Sequence, residues 1–317
     1  MAGSQKFGSL GSEHHDGRIP PGIKGRSFAF PGPLGSDGWN LAAGATLVNK
    51  EPPTAHQRAE ELVRQFEARP GGGEFKKIAR RAVAMGLRIR IYDPSAIHQK
   101  VSSLCGPAAL LYDLASRDPI AYVNYVISLY EKGFAVIKDI EVVPGIDLKD
   151  YDPGNRVEAS DWIGLASLRD SENYFFDYQD ASDEFAGITL PGELEGWFRK
   201  VGYAEVVNDA RVIVDQEEEN IRRANTYFHK GFRVCLFIHS NMLSKSTESS
   251  GSATADHWVV QTAPASFGLT VLGGETKKTI SLAIYTWGEG RRLVPLTGVL
   301  ALDDFLDNYY GFVAAKF

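Results

Sequence analysis

The stretch HQKVSSLCGPAALLYDLASRDP, from His98 to Pro119, places one of the chain's two cysteines at the mouth of an apolar helical pattern. Ala108, Leu111, Leu114 and Ala115 recur at helical spacing behind Cys105. Pro107 suits a first helical turn, where its missing N–H breaks no hydrogen bond. Gly106 removes side-chain bulk beside the sulfur and leaves room for a substrate backbone. The unpaired N–H groups of a first turn point at such a sulfur and favour the thiolate. This is an arrangement for exposed chemistry rather than for packing. Gln99 lies six positions upstream. Cys235, inside RVCLFI, has the setting of a small buried hydrophobe.

A thiol nucleophile needs a base. Of the seven histidines, His14 and His15 lie in a Gly-, Ser- and Pro-rich leader, His56 opens a polar helix, and His229 ends one, where a cation suits the dipole. His98 and His239 are rivals. His257 stands out because it opens the strand HWVVQTA after the polar loop SKSTESSGSATA, a junction of loop and rigid element.

Around these motifs the chain has ordinary globular composition, with 44% hydrophobic and 23% charged residues over 317 positions. A net charge of -6 gives no electrostatic reason to expect nucleic acid or an anionic membrane as partner. Without a run of eighteen apolar residues, no transmembrane helix is expected. Two cysteines make no disulfide framework, and both are read as reduced thiols. His14 and His15 have no ligand-spaced companions, so no metal is expected, and the chemistry needs no organic cofactor. The N-terminus lacks a basic segment followed by an apolar one, so the expectation is a soluble chain made in the cytoplasm, able to leave only by a route without a cleavable signal.

The pattern divides the chain into a flexible leader over 1–52, a helical segment over 53–86 and a catalytic domain over 87–317. TAHQRAEELVRQFEARPGGG is a capped helix, and a second helix is expected over Phe75–Met85. LRIRIYDP alternates apolar and charged residues as a half-exposed strand does, and FAVIKDIEVV reads as another strand. Further helices are expected in SDWIGLASLRDSEN, LPGELEGWFRKVGY and EEENIRRANTYFHKG. The late strands are FRVCLFIHS, DHWVVQTA, FGLTVLG, TISLAIYTW, RRLVPL and, after a short helix in ALDDFLDNYY, GFVAAKF. Helices first and strands last predict an α+β architecture, a helical half packed on an antiparallel sheet.

On Gln99, CGPAAL and DHWVV, the sequence resembles the papain-like cysteine peptidase superfamily, within it the double-glycine-type branch, over Leu87–Phe317. The resemblance implies the papain-like fold, with Cys105 as nucleophile at the start of a central helix, Gln99 as an oxyanion donor and His257 as the base. Gly106, Trp258 and Trp287 would border the substrate. The family's third polar residue, an Asn or Asp after the His, has no counterpart, because neither residue occurs between His257 and Asp303. Thr286 is the preferred substitute. Glu289, Tyr285, a backbone carbonyl or a water are the alternatives. The implied activity is cleavage of a protein substrate through an acyl-enzyme. Deamidation, amine transfer and a catalytically silent binding module remain open on the same scaffold. The leader, the acidic balance and the closing FLDNYYGFVAAKF resemble bacterial effector toxins secreted into a target cell, which implies an immunity or chaperone protein as partner.

Overall fold

The computed structural model describes residues 52–100, 104–172, 189–212, 217–243, 255–287 and 290–317. It opens with four helices: α1 (Ala55–Glu67), α2 (Arg80–Tyr92), α3 (Cys105–Arg117) and α4 (Pro119–Lys132). Thr54 and Gln57 close a reciprocal cap on α1, each side chain meeting the other's backbone N–H. Asp118 caps α4 on Ala121, with Pro119 in its first turn. A short hairpin, β1 (Ala135–Ile137) with β2 (Ile140–Val142), follows. Next come α5 (Ile146–Asp150), α6 (Ala159–Asp161), a π-helical turn (Trp162–Ala166), α7 (Ser167–Glu172) and α8 (Pro191–Lys200).

The second half is mainly sheet. Its strands are β3 (Glu205–Asn208), β4 (Arg233–Ile238), β5 (His257–Gln261), β6 (Ser266–Leu272), β7 (Glu275–Thr286), β8 (Gly290–Val294), β9 (Leu300–Ala301) and β10 (Tyr309–Lys316). Helices α9 (Glu218–His229) and α10 (Leu302–Leu306) interrupt them. The order is β3-β10-β4-β5-β7-β6, with β8 and β9 also on β7, and every pairing among the described residues is antiparallel. Strand β7 is long enough to pair with β6 through its first half and with β5 and β8 through its second. It is reached from β6 by the two-residue turn Gly273–Gly274, both at positive φ, as a tight hairpin turn requires.

The sheet is covered on both faces. Cys235, Phe237, Trp258, Val260 and Tyr285 point into one core with α1 to α4. Their alternates Val234, Leu236, Ile238, Val259 and Ile284 join Ile221 and Ala224 of α9 and Phe305 of α10 in a second core. Burial on both sides is why these strands read as unbroken apolar runs. The fold is mixed helix and antiparallel sheet, an α+β arrangement.

Several expectations are corrected. LRIRIYDP is not a strand: Leu87–Tyr92 are the second half of α2, which runs over Arg80–Tyr92 rather than Phe75–Met85. Its alternation misleads because Arg90 is buried against Asp161, while Arg88 turns to Glu60 and Glu67 of α1. A boundary at 86 would therefore cut a continuous helix. Helices α1 and α2 share the core of the later elements, and residues 51–317 form one unit. FAVIKDIEVV is a hairpin rather than one strand, turning at Lys138 with φ 53°. The 1–52 leader, with His14 and His15, lies outside the described residues save for Pro52. No described helix is long and apolar enough to cross a membrane.

Candidate active site

Cys105 opens α3, and α3 packs against β5. The backbone N–H groups of Trp258 and Gly106 act on its sulfur and favour the charged form. The start of a helix thus meets the start of a strand from far along the chain, at the residue next to His257. The thiol is nevertheless only 2% exposed. Burial pushes its pKa up to about 11, against the downward pull of those two N–H groups. Here the structure departs from the sequence expectation of a helix-stabilised thiolate: loss of hydration outweighs the helix start, and the resting group is a neutral thiol.

Gly106 serves a different neighbour from the one expected. A Cβ there would stand 2.1 Å from Thr189 Oγ1, so the missing side chain makes room for buried Thr189 rather than for a substrate. The Thr189 carbonyl in turn accepts the indole N–H of Trp258 at 2.8 Å. Trp258, stacked on Phe237 with ring centroids 4.3 Å apart, has no exposed surface, and neither has Trp287. Both back the site from within the core instead of bordering an open cleft.

His257 is the first residue of β5 and is half-buried. Its Nε2 lies 3.0 Å from Thr286 Oγ1, and its ring leans on Trp287 at 5.5 Å. That engagement leaves Nδ1 as the ring nitrogen available to a proton from elsewhere. Burial lowers the imidazole pKa to about 4, with Asp256 pulling the other way. The carboxylate of Asp256 is anchored by the Ser240 backbone N–H at 2.7 Å and the Ser240 hydroxyl at 2.8 Å. At neutral pH the histidine is uncharged. Thr286 can orient the ring but brings no negative charge to support its protonated form.

Gln99 sits in the segment before α3, and its N–H donates to the Trp287 carbonyl at 3.1 Å. The elements bearing Gln99, Cys105, His257 and Thr286 are therefore linked by direct contacts. The rival histidines are held locally: His98 Nδ1 accepts the Lys100 N–H at 2.7 Å, and His239 Nδ1 accepts the Asn241 N–H at 3.1 Å. Glu289 lies outside the described residues. Tyr285, one of the alternatives to Thr286, faces away from a histidine-orienting role: its ring stacks on Tyr112 of α3 at 4.1 Å, and its hydroxyl donates to the Ile97 carbonyl.

Three participants escaped the sequence reading. Thr189 had no signal, standing before a Pro-started helix. Arg90 was masked by the alternating pattern, and Asp161 by its helical context. Among the described residues no group of three or more His, Cys, Asp or Glu could hold a metal ion. Compared with known proteins, the chain matches no family model, no curated protein and no solved structure.

Proposed function

We propose that the chain is a thiol acyl-transfer enzyme of papain-like fold, a cysteine peptidase that cleaves a protein substrate through Cys105 and His257. The observation that carries this reading is the packing of α3, which Cys105 opens, against β5, which His257 opens.

The neutral resting pair defines the first step. His257 Nδ1 takes the thiol proton as the sulfur attacks the carbonyl carbon, with Nε2–H directed to Thr286 Oγ1. The Cys105 N–H and the Gln99 side-chain amide hold the oxyanion. The imidazolium then returns its proton to the leaving amine as the C–N bond breaks, leaving a thioester. Water attacks that thioester with His257 again as base, and the acid and free thiol are released. A side-chain amide as substrate turns the same steps into deamidation, and an amine in place of water turns them into transfer. The reading as a bacterial effector toxin, with an immunity or chaperone protein as partner, has its support in the resemblance of the sequence.

A second reading, a silent binding module, is favoured by one observation: a nucleophile only 2% exposed beside an uncharged base. Intact mass of unfolded casein after incubation with the wild-type chain and with Cys105→Ala separates the two. Fragments from the wild type alone support the peptidase. A mass change without fragmentation points to the deamidase. Identical spectra from both proteins favour the silent module.

A further inference from the structure

We propose that Asp161, gripped by Arg90, is a positioning residue for the Gln99 oxyanion donor, acting with the Tyr285 hydroxyl to pin the backbone of Ile97–Lys100. The inference rests on the reading of Cys105 as nucleophile and Gln99 as donor.

The segment is tied down residue by residue. The Ile97 carbonyl accepts the Tyr285 hydroxyl. The His98 N–H donates to Asp161 Oδ2 at 2.9 Å. The Gln99 N–H donates to the Trp287 carbonyl at 3.1 Å. Lys100 is left-handed at φ 51°, and its N–H closes onto His98 Nδ1. Its ammonium reaches Glu158 at 3.0 Å and the Asn155 carbonyl at 3.1 Å. A non-glycine residue holds such a conformation only where its surroundings over-determine it.

Asp161 is the buried anchor. It is 1% exposed and Arg90 3%. The guanidinium meets it with two donors, Nε to Oδ1 at 2.6 Å and Nη2 to Oδ2, while Nη1 binds the Gly86 carbonyl at 3.0 Å. A buried ion pair is a poor device for stability alone, because well-packed apolar residues of similar volume often do as well or better. This carboxylate does something an apolar pair cannot: it accepts the N–H of the residue before Gln99. It also lies next to a π-helical turn, Trp162–Ala166, that packs on α3. On the other side Tyr285 bonds Ile97 and stacks on α3, so the same fixed frame holds both the donor segment and the nucleophile helix. Misplacing a catalytic group by an ångström costs about 10²-fold in rate, which is the scale of benefit such a clamp protects.

Two reagents for the same sulfur test this. Acylation of Cys105 by p-nitrophenyl acetate passes through an oxyanion, whereas alkylation by iodoacetamide does not. In Asp161→Asn, acylation is expected to fall about 10- to 100-fold with alkylation changed less than about twofold. Tyr285→Phe, which keeps the ring stack and loses only the hydroxyl, is expected to behave the same way, and it decides the matter if Asp161→Asn does not fold. Adding Gln99→Ala to either variant should bring acylation to the rate of Gln99→Ala alone and no lower, since all three act through one donor. The proposal is overturned if the variants acylate at the wild-type rate while Gln99→Ala alone is slow, or if acylation and alkylation fall together. A wild-type Cys105 that reacts with neither reagent, or a Gln99→Ala with unchanged acylation, instead sinks the thiol-enzyme reading itself.

Discussion

Cys105 and Cys235 are equally hidden from water, and they live in opposite worlds. Cys235 lies mid-strand in β4, between Val260 of β5 and Val313 of β10. Burial drives its thiol pKa up, and the charges acting on it are the distant-acting Arg233 and Asp113. Cys105 stands at a helix start, where the backbone N–H groups of Gly106 and of Trp258, the neighbour of His257, favour a charged sulfur. Burial by itself therefore says little about whether a cysteine is chemical. Groups that can hold a negative sulfur are the distinguishing feature, and a helix start is one place that supplies them.

The bluntest way to break this comparison is substitution. Cys105→Ala should lower turnover by at least about 10³-fold, as loss of a nucleophile does. Cys235→Ala should keep turnover and cost about 1–2 kcal/mol of stability for the lost packing. Comparable activity from both variants would erase the distinction. Alkylation rates sharpen it. For Cys105 the iodoacetamide rate should climb about tenfold per pH unit toward a midpoint near 11, with Cys235 slower throughout. A plateau reached near neutrality would mean a pre-formed ion pair instead of a neutral one.

The His257 imidazole leaves a mark on stability. Its folded pKa of about 4 lies below the ordinary 6.5, so the unfolded chain takes up the proton first as pH falls. Stability from this group is complete above 6.5 and is lost on the way down to about 4, by up to about 3 kcal/mol. Urea midpoints for the wild type should drop over that window, and those for His257→Gln should drop less. Equal slopes for the two would remove the case for an imidazole held neutral in the folded chain. Gly106→Ala should cost about 1–3 kcal/mol by pressing on Thr189, visible as a lower melting temperature, with no such penalty expected at the open Gly196. The smallest effect belongs to Thr286→Val. Losing one uncharged hydrogen bond to His257 should reduce kcat about 5- to 10-fold and leave KM alone.

What the sequence disclosed and what it concealed have physical reasons. The thiol helix was legible because Gly-Pro at a helix start is rare and mechanically specific, and His257 because a polar loop gives way abruptly to HWVVQ. Strands β4, β5 and β10 announced themselves by apolar runs that only two-sided burial explains. The end of α2 did not, since a period-2 reading of LRIRIY assumes that arginines face water, whereas Arg90 is spent on Asp161. The charge state of the site was hidden for a similar reason. A sequence shows the helix start that favours a thiolate but not the depth of burial that opposes it. Thr286 was marked only through the family resemblance, as the polar residue before Trp287, and its hydroxyl lies 3.0 Å from His257 Nε2.

Strand β7 has a practical corollary. Its Gly273–Gly274 end and its Thr286 end belong to one rigid rod, separated along the strand by about 40 Å at the usual rise per residue. The space around both glycines is open, so an epitope can be inserted between them while the glycines themselves, at positive φ, stay unsubstituted. Such a handle allows the protein to be immobilised or tracked at a place remote from His257 and Thr286.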